Sequence, residues 1–213
     1  MQNSIWFFGD CFTWGAGCRP EQPYYQWKKP EDKLWSEIVC DHFNMKEEKP
    51  FYQMGATMFI IVMFISALNK IKKGDIVIVS DSEVKSTLSI SRNKKNISSI
   101  SSYDLSSFDA WHDEEEKNVI TSFINYQIKP YEKIWENFYV SLIENLAQEL
   151  KVRGINTLFW SHYEWKNNKK YETIAQATNN EIYDPHFSWE GNKQFANYII
   201  KRIENKEWLV NLI

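Results

Sequence analysis

The sequence predicts an α/β fold in which helices sandwich a mostly parallel sheet. Short apolar runs alternate along the chain with longer segments whose apolar residues recur at helical spacing. The run Asp75–Ser80 reads Asp-Ile-Val-Ile-Val-Ser, a continuous β-branched stretch of the kind found where both faces of a sheet are covered. Gly74, Pro130 and Gly154 stand at the borders of these segments, where backbone punctuation belongs.

Taken in order, Ile5–Phe8 reads as a first strand. Leu34–Phe43 carries Leu34, Trp35, Ile38, Val39 and Phe43 on one helical stripe. Phe51–Met54 reads as a short second strand. Thr57–Lys73 reads as a helix apolar on most faces. It ends in Lys70, Lys72 and Lys73 before Gly74, since lysines complement exposed carbonyls and glycine accepts a left-handed backbone. After the Asp75–Ser80 strand, Pro130 opens a long helix to Arg153, with Ile134, Phe138, Leu142, Leu146 and Leu150 at helical spacing and Gly154 closing it. Asn156–Trp160 is another buried-looking strand. Glu190–Glu204 is the last helix, with Phe195, Ile199 and Ile203 on one face and Ser188 as its N-cap.

Val84 to Lys117 interrupts this rhythm. It is rich in serine, carries a basic and Asn-containing patch from Arg92 to Asn96, and ends in the acidic run Asp113 to Glu116. It reads either as a solvated insertion or as a flap over a crevice at the strand ends. His112 and that acidic run resemble a solvated loop more than a ligand set. The chain, residues 1–213, is expected to form a single domain with an insertion or flap at about 84–117.

Composition narrows the class. The formal charge of -3, with acids and bases interspersed, gives no polyanion-binding signature and argues against nucleic acid. Aromatic residues make up 16% of the chain, more than a disordered segment carries. The three cysteines, Cys11, Cys18 and Cys40, are odd in number and lack metal-ligand spacing, which suggests free thiols in a reducing compartment. No basic region or cleavage site accompanies the Ile5–Phe8 run. The most apolar stretch, Met54 to Leu68, is short for a membrane span and contains Gly55, Thr57 and Ser66. A cytoplasmic location without membrane association is therefore expected, and a virion protein released by lysis gives the same reading.

Two motifs carry the chemistry. The first strand stops at Phe8-Gly9-Asp10-Cys11-Phe12-Thr13-Trp14-Gly15, placing a thiol at the carboxyl end of a strand, where open α/β sheets bind ligands. Near the other end the chain reads Asp184-Pro185-His186-Phe187-Ser188-Trp189, just before the last helix. In extended backbone, residues two apart project to the same side, so Asp184 is placed to orient His186 and stabilise its cationic form. Asp184-Pro185 also reads as a turn opener. A base or a helix N-terminus acting on Cys11 is expected to lower its thiol pKa below about 8.5.

A strand ending in a Gly-Asp-nucleophile turn, paired with a late Asp-x-His before a helix, resembles the SGNH/GDSL hydrolase family, with Cys11 where the family has serine. The resemblance implies a three-layer α/β/α sandwich with a flavodoxin-like, mostly parallel sheet. It also implies hydrolysis of carboxylic ester or thioester bonds through a covalent acyl-enzyme. Cys11 is then the nucleophile, His186 the base and Asp184 its partner. The family more often places that aspartate where this chain has Tyr183. Asp10 is expected to brace the turn through hydrogen bonds to backbone N–H groups.

The family's oxyanion hole uses the nucleophile's N–H, a glycine N–H after the second strand and an asparagine after the third. Here these positions correspond to Cys11, Gly55 and Ser82. The usual Gly-x-Asn-Asp is missing from Ser80-Asp81-Ser82-Glu83, and losing one such donor typically costs about a hundred- to thousandfold in rate. Trp14, Tyr24, Tyr25 and Trp27 follow the nucleophile and read either as lining for an acyl or sugar pocket or as core. Trp160 and His162 lie at the end of a later strand, beside the expected crevice. No motif calls for a metal or an organic cofactor. The implied substrate is a small-molecule or glycan ester, such as an O-acetylated carbohydrate; the oligomeric state is not specified. The alternative is a catalytically impaired SGNH-like binding protein or virion structural protein, carrying a natural or engineered Ser-to-Cys exchange at the nucleophile position.

Overall fold

The computed structural model describes residues 2–49, 57–80, 86–90, 97–101, 114–123, 125–126, 130, 132–161 and 171–209. Its strands are β1 (Ser4–Phe8), β2 (Lys46–Glu48), β3 (Ile76–Ser80), β4 (Ser86–Ile90), β5 (Ile97–Ser101) and β6 (Asn156–Trp160). Its helices are α1 (Cys11–Trp14), α2 (Trp35–Phe43), α3 (Thr57–Ala67), α4 (Glu114–Phe123), α5 (Glu132–Val152), α6 (Ile174–Ala177) and α7 (Trp189–Glu204). Four strands form one parallel sheet in the order β2-β1-β3-β6, so the chain is an α/β protein.

Strand alternation sorts the core onto the two faces of this sheet. Ile5, Phe7, Ile78, Leu158 and Trp160 point to one side, where they pack with Trp35 and Val39 of α2 and Phe195, Ile199 and Ile203 of α7. Trp6, Phe8, Val77 and Val79 point to the other, against Ile60, Ile61 and Phe64 of α3 and Tyr139, Ile143, Leu146 and Leu150 of α5. Both faces are covered, which is why β1 and β3 read as unbroken apolar runs. The topology follows from handedness. The chain moves one way from β1 to β2 and the opposite way from β2 to β3 to β6. Right-handed crossovers therefore require α2 on one face and α3 and α5 on the other, the partition observed.

Asp75 pins the amino-terminal edge of the sheet. It is buried and accepts from Ser4 N at 2.9 Å, Trp6 Nε1 at 3.0 Å and Lys72 N at 2.9 Å. One carboxylate thus joins β1, its own strand and the incoming turn, with each donor compensating the desolvated charge.

Several boundaries differ from the sequence reading. The second strand is Lys46-Glu47-Glu48, a polar strand that among the described residues pairs only with β1, so no apolar pattern announces it. Phe51–Met54 lies outside the described residues. Helix α3 stops at Ala67, six residues before Lys73. Its final turn tightens through Leu68 N to Ile65 O and Lys70 N to Ala67 O. The guanidinium of Arg153, at the end of α5, donates to Leu68 O at 2.9 Å and Ile71 O at 2.7 Å. The stop is therefore a tertiary cap rather than the work of the lysines alone. Within the span read as an insertion, β4 and β5 form an antiparallel pair, Ser86 opposite Ser101 through Ile90 opposite Ile97. The acidic run continues into α4, which starts at Glu114. Among the described residues no helix is long and apolar enough to cross a membrane.

Replacing Asp75 with alanine orphans three donors. At about 1–3 kcal/mol for each unsatisfied buried group, Asp75→Ala is expected to lower the unfolding free energy by about 3 kcal/mol or more. The readout is a lower urea midpoint at unchanged slope; an unmoved midpoint rejects this role for Asp75.

Candidate active site

Strand β1 leaves the sheet at Gly9, and the residue there has to be glycine. A Cβ at this position lies 1.9 Å from Thr13 Oγ1 and 2.4 Å from Ser80 Oγ, because the turn folds back onto the ends of β1 and β3. Asp10 then caps the one-turn helix α1. Its carboxylate accepts from Phe12 N at 3.1 Å and its carbonyl from Trp14 N at 3.1 Å. Gly15 closes α1 in the left-handed region at φ 72°, with Ala16 N donating to Cys11 O at 3.0 Å. Cys11 is thus the first helical residue, half-buried at the carboxyl edge of β1.

The surroundings of Cys11 oppose the lowered thiol pKa that the sequence led us to expect. Burial pushes the thiol well above its usual value, and the Asp10 carboxylate pushes the same way. The backbone N–H groups of Cys11 and Phe12 face the sulfur and pull it down, but less strongly, and Asp184 adds a further upward push. The resting group is a neutral thiol. Cys18 and Cys40 are pushed up to about 12, also chiefly by burial.

His186 sits on a short ribbon formed by the segments around 173 and 187. Thr173 and Phe187 make an antiparallel bridge, Ile174 N donates to His186 O at 2.8 Å, and Ala175 N donates to Asp184 O at 2.9 Å. Asp184 Oδ1 accepts twice, from His186 N at 2.8 Å and from the ring Nδ1 at 2.6 Å. A carboxylate only accepts, so Nδ1 carries a proton in this contact. Burial pushes the Asp184 carboxyl up. The hydrogen bonds from the His186 ring and amide, together with the ring's charge, outweigh it and hold the group below its ordinary 3.8. Tyr183, at the position the family more often uses, is 91% exposed.

The two motifs meet through Phe12, whose ring centroid lies 4.6 Å from the imidazole and 5.1 Å from Phe187. Gly17, in the loop after α1, reaches Asp184 directly: a Cβ there lies 2.9 Å from Asp184 Oδ2 and 2.1 Å from Ile174 Cδ1. Among the described residues no hydrogen bond joins the Cys11 thiol to the His186 ring. Gly55, Ser82 and His162 lie outside the described residues, so of the three expected oxyanion donors the structure describes only the Cys11 N–H. Ser80 and Thr13 are buried beside Gly9, and their hydroxyls meet no hydrogen-bond partner among the described residues.

Of the aromatics after Cys11, Trp14 and Tyr24 are buried in packing, Tyr25 is partly buried and Trp27 is exposed. Tyr24 is buried, stacked 6.2 Å from Trp189 and edge-on to Trp27 at 5.4 Å, while Tyr25 lies 6.3 Å from Trp189. Trp14 is buried with Arg19 and Lys49 over its ring at 5.7 and 5.8 Å. Trp160 lies in the core between Trp35 and Phe195. A cleft of about 360 Å³ opens beside α2, lined by Lys28, Asp32, Lys33, Glu37 and Asp41 among others. Cys11, Asp184 and His186 do not border it, so it is separate from their chemistry.

Residues that sequence reasoning overlooked hold the assembly together. Asn192 Oδ1 accepts from Trp35 N at 2.9 Å, its Nδ2 donates to Ser188 O at 2.9 Å, and the Trp35 indole donates to Phe12 O at 3.0 Å. The sequence offers little signal for these cross-chain bonds, although Gly15-Ala16-Gly17 does mark a tight loop. No protein-family model matches the chain, and comparison with curated proteins and with solved structures gives no match.

Two outcomes follow from the electrostatics. At neutral pH Cys11 is expected to alkylate with iodoacetamide more slowly than a free thiol, accelerating about tenfold per pH unit as the thiolate forms. Asp10→Asn keeps the oxygen that caps Phe12 N but removes the charge, so it is expected to speed the reaction; mass spectrometry of the labelled peptide reads both. Asp184 has a depressed pKa, so its charged form stabilises the fold above the unfolded value and that contribution is lost as pH falls through the folded value. The stability difference between wild type and Asp184→Asn is therefore expected at neutral pH and should shrink below about pH 3.8. A pH-independent difference in urea unfolding rejects the assignment.

Proposed function

We propose that this chain is an SGNH-like hydrolase that cleaves carboxylic ester or thioester bonds through an acyl-enzyme on Cys11. The observation that carries the reading is the 2.6 Å contact from His186 Nδ1 to Asp184 Oδ1, on a turn whose imidazole packs against the residue after Cys11. The strand order β2-β1-β3-β6, with the Gly9-Asp10-Cys11 turn at the carboxyl end of β1, supports a flavodoxin-like sheet with its crevice at the switch in strand direction.

In this mechanism His186 Nε2 takes the thiol proton as Cys11 Sγ attacks the substrate carbonyl carbon. The oxyanion forms against the Cys11 N–H, with Gly55 and Ser82 as the proposed further donors. His186 then passes the proton to the departing alcohol or thiol oxygen or sulfur, leaving an acyl thioester. Water, deprotonated by the same nitrogen, attacks that carbonyl; the acid leaves and the thiol is restored. Asp184 stabilises the imidazolium in both halves. Because Cys11 rests as a neutral thiol, proton transfer to His186 accompanies attack rather than preceding it. The substrate is a small-molecule or glycan ester, an O-acetylated sugar being the simplest case.

One observation favours the impaired binding or virion structural reading. The Cys11 thiol is pushed up by burial and Asp10 and makes no hydrogen bond to His186 among the described residues. A panel of p-nitrophenyl esters and thioesters decides between the two. Wild-type turnover is expected to fall by about a thousandfold or more in Cys11→Ala and in His186→Ala. Turnover in Cys11→Ser alone identifies Cys11 as the lesion on a competent scaffold. No turnover in any variant rejects the hydrolase.

A further inference from the structure

Cys18 lies seven residues beyond Cys11 and is only 3% exposed. Its thiol donates to Phe187 O at 3.4 Å, the carbonyl immediately after His186. Asn192 Nδ2 lies 3.9 Å from the same sulfur while donating to Ser188 O at 2.9 Å, so the amide and the thiol hold two successive carbonyls of the His186 turn. The preceding residue, Gly17, has φ 80° and packs so closely on Ile174 and Asp184 that a Cβ would overlap the first and press on the second. Cys18 is itself packed with Tyr24, Ile174 and Trp189, which fixes the sulfur's direction. The loop from α1 therefore touches the imidazole's neighbours on both sides, Asp184 through Gly17 and Phe187 through Cys18. An S–H bond is weak, so its value here is directional, combined with the steric stop at Gly17.

We propose that Gly17 and Cys18 form a strut that positions the Asp184–His186 pair against the nucleophile turn, with Cys18 a positioning residue rather than a reacting thiol. Its catalytic consequence rests on the hydrolase reading above; the mechanical link does not. The strut makes the separation between Cys11 and His186 a property of the short segment from Cys11 to Cys18, although the two are far apart in sequence.

The test reads the imidazole without substrate. In ¹⁵N-labelled protein, the His186 Nδ1 proton hydrogen-bonded to Asp184 gives a resonance assigned by its loss in Asp184→Ala. Cys18→Ala removes the donor, and Gly17→Ala displaces Asp184 from the other end; both are expected to lose that resonance. Cys18→Ser, which keeps a donor, is expected to retain it, as is Cys40→Ala, which empties a buried site elsewhere. A folded Cys18→Ala or Gly17→Ala with a wild-type His186 resonance overturns the strut and leaves Cys18 a packing residue. Should Cys18→Ala not fold, Gly17→Ala carries the same two outcomes. Loss of the resonance without any esterase activity in wild type upholds the strut while rejecting the hydrolase.

Discussion

Trp35 is the contact on which the two halves of the site depend. Its side chain is fully buried, edge-on to Phe7 of β1 at 5.2 Å, to Trp160 of β6 at 6.3 Å and to Phe195 of α7 at 4.9 Å. Its indole N–H bonds Phe12 O and its amide bonds Asn192 Oδ1, so it also joins α1, α2 and α7. The amide is one of the orphan donors at the start of α2. Leu34 offers no side-chain acceptor, so the cap comes from a residue 157 positions away, while Glu37 Oε2 takes Leu34 N at 2.7 Å. Edge-to-face aromatic packing supplies directional contact as well as buried area. In a close-packed interior such a node transmits displacement instead of absorbing it.

The site inherits its electrostatics from that packing. Asp10 is buried because its carboxylate caps α1, and the same burial brings a negative charge beside Cys11. A turn that braces Cys11 therefore also disfavours its anion. Asp184 has the opposite relation to its neighbour, since its carboxylate takes the Nδ1 proton of His186 in a hydrogen bond and is itself held charged by that contact. Local structure and electrostatics are set by the same two carboxylates, one hindering thiolate formation at Cys11 and the other fixing the orientation of the His186 ring.

Much of this was legible because it is local. The apolar runs of β1, β3 and β6, the long helix closed by Gly154, the Ser188 cap with Gly191 N at 3.0 Å, and the Asp10 brace each depend on residues within a few positions of one another. What escaped is non-local. Strand β2 carries no apolar pattern because an edge strand with a polar surface needs only a neighbour's free backbone groups. Helix α3 ends early because Arg153 reaches its carbonyls from another helix. The β4–β5 pair is hidden by serine, which weakens the alternation that marks a strand.

By itself the sequence determined the α/β class, the turn that presents Cys11, and the placing of Asp184 beside His186. Each of these follows from spacing, since residues one, two or four apart have their directions set by backbone geometry. Only the tertiary structure decided the burial and charged neighbours of the Cys11 thiol, the contacts of Cys18 and the clamp at Trp35. Those depend on which groups lie within a few ångströms across the fold, and on how much water the packing excludes. Desolvation and long-range hydrogen bonding exist only once the chain has closed, so no local pattern encodes them.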